Sequence, residues 1–230
     1  MYKTLLIGFV FNFFFFQASF AQKAADSLIL KLHLKFGKDD LELGKKYVST
    51  KKDTLQIDVF KFYISNIEIQ YSDKKVYNPT NSYHLIDIEN SNSLRIPIGY
   101  KNNLAIKNVF FNIGIDSTAS VSGALEGDLD PTKGMYWAWQ SGYINMKIEG
   151  KSSSCKTRKN EFQFHIGGYM KPSYAIRKVQ LEAKNQEIDV SIDVSEFFSA
   201  IKLSKINSIM IPGKEAMELA DYSIKMFKTE

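Results

Sequence analysis

TLQIDVFKFYISNIEIQY, residues 54–71, is the stretch on which the fold class turns. Phe60, Phe62 and Ile64 share one parity, whereas Ile67, Ile69 and Tyr71 share the other. Side chains alternate across a strand, so an apolar face changes parity only where the strand bulges or breaks. Ser65-Asn66 is the expected place. Before this segment, residues 28–36 alternate strictly, with Leu28, Leu30, Leu32, Leu34 and Phe36 on one face. That is a half-buried strand. His33 falls on its other face with Lys31 and Lys35 and is expected at the surface.

After the turn at Ser72-Asp73-Lys74-Lys75, residues 83–87 (YHLID) form a short strand that carries His84. Residues 94–98 alternate, and residues 107–115 suit a well buried strand. Phe162, Phe164 and Ile166 alternate with Gln163 and His165, so His165 points away from the aromatic face of its strand. Residues 175–183 and 187–194 are expected to pair as a hairpin joined around Lys184-Asn185. A helical turn at residues 195–201 and a strand at 206–211 follow. Pro212-Gly213 then opens a helix over residues 214–227, with Met217, Ala220, Ile224 and Phe227 at helical spacing. Nine or ten strands and one short C-terminal helix make an all-β chain, an antiparallel β-sandwich. There is no internal repeat and no domain linker.

The first 21 residues do not belong to that fold. Lys3, an apolar run over residues 5–16 and Ser19-Phe20-Ala21 match a secretory signal peptide cut after Ala21. Residues 22–230 are then the mature domain, expected in the periplasm or secreted, without a stable membrane anchor. Removing Lys3 lowers the formal charge from +5 to +4. The basic residues are scattered, which argues against nucleic acid as a partner. Cys155, the one cysteine, cannot form an internal disulfide and is expected as an exposed or merely tolerated thiol.

Residues 123–150, GALEGDLDPTKGMYWAWQSGYINMKIEG, concentrate the unusual chemistry. Both tryptophans, Trp137 and Trp139, lie here, and on one strand over residues 135–149 they would share a face. The preceding loop, residues 118–133, is long and carries Glu126, Asp128 and Asp130, which favours a binding loop. Its acids do not match the twelve-residue calcium pattern. No nucleophile elbow, phosphate-binding glycine loop, HExxH or cysteine pair is present, so no enzyme activity is expected. What remains is imidazole, indole and thioether. Two neutral imidazoles with a soft or carbonyl third ligand suit copper, although isolated histidines are more often hydrogen-bonded residues than ligands.

FKFYISNIEI (residues 60–69), SYHLIDIE (82–89), the LDP, GMYWAW and SGY series within residues 110–150, FHIGGY (164–169) and PGKEAMELADYSIKMF (212–227) together bring a family into view. The chain resembles the MbnP-like family of periplasmic copper-binding proteins, related to the copper proteins CorA and MopE. That resemblance implies a β-sandwich holding one copper ion through two histidines and a tryptophan oxidised to kynurenine. Matched by motif, the histidines would be His84 and His165, and the tryptophan would be Trp137 or Trp139. Met135 or Met146 would be neighbours. It also implies a di-haem partner of the MauG/cytochrome c peroxidase type that oxidises the tryptophan, and a link to outer-membrane copper uptake. Residues 37–52 carry no histidine, so any family ligand in that region is absent. The competing expectation is a metal-free module in which Trp137, Trp139 and Tyr143 form an aromatic platform for a glycan or peptide.

Overall fold

Residues 54–71 form one continuous strand in the computed structural model, which describes residues 27–80, 82–100, 104–183 and 188–230. The expected signal peptide and the Lys184-Asn185 connection lie outside the described residues. Among the described residues, nine strands have five residues or more: β1 (Ser27–Phe36), β2 (Thr54–Tyr71), β3 (Tyr83–Asp87), β4 (Arg95–Tyr100), β5 (Ile106–Ile113), β6 (Gly142–Ser152), β7 (Glu161–Gly167), β8 (Arg177–Glu182) and β9 (Ile188–Asp193).

The parity switch sits where the alternation places it. Asn66 adopts φ +49°, and the register between β2 and β5 shifts between Ser65 and Glu68. The bulge keeps Phe62 and Ile64 on one side of it, and Ile67 and Ile69 on the other, all in the same core. It also lets β2 serve many partners. Phe62 lies between Met146 of β6 and Ile86 of β3. Ile64 lies between Ile113 of β5 and His84 of β3. One edge of β2 therefore carries β6 and then β5, and the other carries β3. The larger sheet continues from β5 to β8 and from β6 to β7.

The smaller sheet is built on β1, which pairs with β9 in parallel and with β4 antiparallel. The two sheets face each other across one core, so the β-sandwich expected from alternation is the observed fold. It is mostly antiparallel, with β1–β9 and a short contact of β7 with Ser208–Ile209 running parallel. Phe227, on a C-terminal strand paired with β9, meets Phe62 and Phe111 of the opposite sheet edge-on at 5.8 and 5.4 Å.

Several local expectations are corrected. β8 and β9 do not form a hairpin: β8 pairs with β5 in the larger sheet and β9 with β1 in the smaller. Alternation marks a strand's two faces but not the sheet that receives it. The C-terminal helix covers Lys214–Ser223 and buries Ala216, Leu219, Ala220 and Ser223; a tighter turn over Ile224–Met226 follows, so Phe227 belongs to a strand. The helical turn expected near residue 195 is present as Val194–Ala200, seated through Phe198 and Phe197 on Phe162 and Phe164. Cys155 is buried, not exposed, and burial pushes its thiol up to about 11, with Asp53 adding to the shift.

Phe227 joins the two sheets, and removing a buried aromatic ring costs about 3–5 kcal/mol. Phe227→Ala is expected to lower the free energy of urea unfolding by that order. A loss within experimental error would mean that the C-terminal strand does not contribute to sandwich closure.

Candidate functional site

The outer face of the larger sheet carries a second apolar cluster, made by Tyr63, Leu85, Ile115, Leu129, Met135, Trp137, Tyr143 and Ile144 with Ala119. Residues 115–137 close over it as a cap. Three tyrosine hydroxyls hold the cap to the sheet. Tyr63 donates to the Asp128 carbonyl at 3.0 Å, and Tyr83 donates to the Asp116 carboxylate at 2.6 Å. Tyr143 donates to the Leu129 carbonyl at 2.9 Å and accepts from the Leu125 amide. Burial and the adjacent Asp116 push the Tyr83 hydroxyl up to about 12, so these remain neutral donors.

The acids of the cap are engaged in holding the chain. Asp116 also caps the short helix Ser117–Val121. Asp128 accepts from the Leu85 amide at 3.0 Å and from Lys133 at 2.7 Å, and Asp130 accepts from the Thr132 amide and hydroxyl. The region expected as a binding loop is pinned to the sheet as a lid. The sequence signal for this was the tyrosines at 63, 83 and 143, whose hydroxyl partners lie too far along the chain for periodicity to show.

The cap begins where β5 and β6 meet on the same edge of β2. The Gly114 amide donates to Tyr63 O at 2.9 Å, and the Asn145 side chain accepts from the Ile115 amide at 3.1 Å. A Cβ at Gly114 would overlap the Asn145 side chain, and φ at Gly114 is +110°. Glycine is required there on both counts. Asn145 Nδ2 is the one buried side-chain nitrogen or oxygen without a partner among the described residues.

Trp137 and Trp139 do not lie on one strand. Tyr136–Trp137 is a two-residue strand, and a turn separates it from β6, which starts at Gly142. Trp137 is buried in the outer cluster, whereas Trp139 is 63 % exposed. The turn nevertheless brings the indoles together, with ring centroids 5.8 Å apart. Trp137 rests on Gly167, where a Cβ would overlap its six-membered ring. Met135 belongs to the outer cluster and Met146 to the core between the sheets, so they do not flank one site.

His165 faces outward, as expected, but it is covered. Its Nε2 is 2.6 Å from Glu149 Oε1, and its cross-strand neighbour is Lys147. Burial holds His165 below an ordinary imidazole, against the pull of Glu149. Glu149 is itself held low: burial opposes this, but the bond to His165 and the nearby Lys147 outweigh it. Lys147 in turn stands opposite Lys61, which pairs with Asp87 at 2.7 Å. The result is a half-buried charged row from Asp87 to His165. His33 is on the lysine face of β1, 2.9 Å from Asp189.

His84 is different. Among the described residues its side chain makes no hydrogen bond, and burial lowers its pKa against the nearby Asp128 carboxylate. It lines a cleft of about 410 Å³ with Asp128, Lys133, Lys61, Asp87 and Arg95. Arg95 and the polar turn at Asn90–Asn92, brought in by the return to β4, escaped the sequence reading because they carry no motif.

The structure does not gather His84 and His165. From β3 to β7 there are three strand spacings of about 4.8 Å, or about 14 Å, before any stagger. His84 shares the parity of the core residue Ile64, and His165 that of the outward Lys147. Metal–imidazole bonds are about 2.0–2.1 Å long, so the two imidazoles do not converge on one ion. No group of three His, Cys, Asp or Glu side chains arranged for a metal is found among the described residues. The two-histidine centre implied by the family resemblance therefore does not fit this arrangement; a neutral, unbonded imidazole beside a carboxylate fits a metal's partial donor set.

Two facing sheets with a tyrosine-pinned lid on one outer face define a capped β-sandwich. A model of the MbnP family matches residues 25–211, and the chain belongs to that family. Among solved structures it is similar to MbnP from Methylosinus trichosporium, with a TM-score of 0.57, 12 % identity and 83 % of each chain covered. At that identity the likeness is one of fold. No curated protein matches the chain. No helix among the described residues is long and apolar enough to cross a membrane.

His84 and His165 are both held neutral by burial, so the unfolded chain binds protons more readily at these sites. Their contribution to stability is complete above the unfolded imidazole value of about 6.5 and is lost as pH falls from there through their lower folded values. Imidazole NMR titration of metal-free protein is expected to give midpoints below that reference for both. A midpoint above it for either residue would contradict the burial described.

Proposed function

We propose that this protein is an exported, non-catalytic copper-binding member of the MbnP family, serving copper acquisition or homeostasis, and that His84 presents the metal-binding imidazole. The observation that carries the reading is the state of His84. The other two histidines have carboxylate partners at 2.9 and 2.6 Å, whereas His84 is neutral, unbonded and open to a cleft. A free imidazole lone pair suits copper well among common metals. Asp128 would supply an oxygen donor, sharing its carboxylate with Leu85 and Lys133. Bound copper would be cargo or a reporter of metal status. His165, on the outer face three strands from His84, would hold the outer charged row.

The tryptophans divide in the same way. The exposed Trp139 is the indole an external oxidant would reach, whereas Trp137 is shielded by the lid. Oxidation of an indole to kynurenine by a di-haem enzyme of the MauG/cytochrome c peroxidase type would therefore begin at Trp139. Periplasmic location rests on the N-terminal signal features, and delivery through an outer-membrane copper uptake system on the family resemblance.

Protein isolated from its native compartment is expected to carry copper by elemental analysis. His84→Ala should lose at least about tenfold in copper affinity, the scale of losing one good donor, while His165→Ala should retain it. Equal binding by wild type and His84→Ala would sink the assignment. Kynurenine carries one oxygen more and one carbon fewer than tryptophan, and that mass change on the tryptic peptide of residues 134–147 should map to Trp139, not to Met135 or Met146, by fragmentation.

A further inference from the structure

The exposed indole of Trp139 borders a second cleft, of about 350 Å³, that shares no lining residue with the His84 cleft. Three large apolar side chains that the fold leaves in solvent surround it: Trp139 at 63 %, Met170 at 57 % and Ile211 at 62 % exposure. Scattered exposed apolar residues need no explanation, but a cluster around a concavity does. The rings here are held in place. Trp139 leans on the buried Trp137. Tyr169 lies over Gly142, where a Cβ would overlap its ring, and its hydroxyl donates to the Ser141 carbonyl at 3.2 Å. A preformed aromatic surface binds without the entropy cost of ordering a flexible one.

The polar groups around that surface are unspent. The side chains of Gln140, Lys171 and Ser173 line the cleft and make no hydrogen bond or ion pair among the described residues. Lys171 is the one charged residue in the lining. A rigid apolar platform ringed by an amide, a hydroxyl and an unpaired ammonium is a mixed recognition surface. A few convergent polar groups beside an apolar wall are what orient a small ligand in a pocket.

We propose that the cleft between Trp139 and Lys171 binds an acidic glycan, with one uronic acid ring stacked on the Trp139 indole. Such a ring has a flat face of C–H bonds for the indole, hydroxyls for Gln140 and Ser173, and a carboxylate for Lys171. The single ammonium of the lining calls for one carboxylate and the exposed indole for a flat C–H face, and a uronic acid ring carries both. The site is separate from the His84 cleft and shares no lining residue with it. Copper binding and glycan binding can therefore fail independently.

The test uses the full mature chain made without the oxidising partner, its Trp139 indole intact by mass, and oligogalacturonate as the probe, followed by calorimetry and intrinsic fluorescence. Only two tryptophans are present, and Trp139 is the one in solvent, so binding should shift emission to the blue. Trp139→Ala should abolish binding. Lys171→Ala should weaken it at least about tenfold, the scale of a charge-assisted hydrogen bond, and should flatten its salt dependence. His84→Ala should leave it unchanged. Circular dichroism of Trp139→Ala should match wild type, because the side chain lies outside both cores. Failure to bind at millimolar probe, binding undiminished in Trp139→Ala, or equal binding of maltohexaose would overturn the proposal. So would capture of an oligoglutamate peptide in place of the glycan, which would make the cleft a protein-docking surface.

Discussion

One residue of left-handed backbone at Asn66 sets the terms for the larger sheet. Without it, an 18-residue strand with this sequence would turn either Phe60, Phe62 and Ile64 or Ile67, Ile69 and Tyr71 into solvent. Burying a large apolar side chain is worth about 1.5–3 kcal/mol, so three turned outward would cost a sizeable part of a domain's net stability. The bulge resolves the conflict and has a second effect. The edge of β2 that receives β6 before the bulge receives β5 around and after it, and the gap between those two strands is where Gly114, Ile115 and Asn145 meet. The lid starts from that junction.

Most of the strand pattern was open to inspection in the residues because burial has a period of two. The alternation in β1, the parity change in β2, the extent of β3 and the outward aim of His165 all follow from it. What it could not give were relations between segments. Residues 175–183 and 187–194 look like two arms of a hairpin, yet they cross from one sheet to the other. Trp137 and Trp139 look like neighbours on one strand, yet a turn over residues 138–141 buries one indole and exposes the other. The same limit hid the Glu149 partner of His165 and the cleft beside His84, each assembled from residues distant in sequence.

The outer face of the larger sheet is organised by electrostatics as much as by apolar contact. Lys61 and Lys147 stand directly opposite each other, an arrangement that destabilises a sheet when unrelieved. Asp87 on one side and Glu149 on the other relieve it, and His165 completes the row as a neutral partner. His165 spends Nε2 on Glu149 and lies three strands from His84 on the opposite face of the sheet, so the two imidazoles serve different places. Family membership and local geometry thus carry different information here: the first covers most of the chain, and the second separates three histidines with three different surroundings.

Cys155 shows how burial shapes the life of the chain outside the fold. A thiol must ionise before it can attack a disulfide, and with its pKa near 11 only about one thiol in ten thousand is thiolate at neutral pH. Once folded, the protein is therefore all but invisible to thiol–disulfide exchange. Burial thus slows cross-linking to a second copy or to an oxidoreductase, and the sulfur is most open to capture before the chain folds.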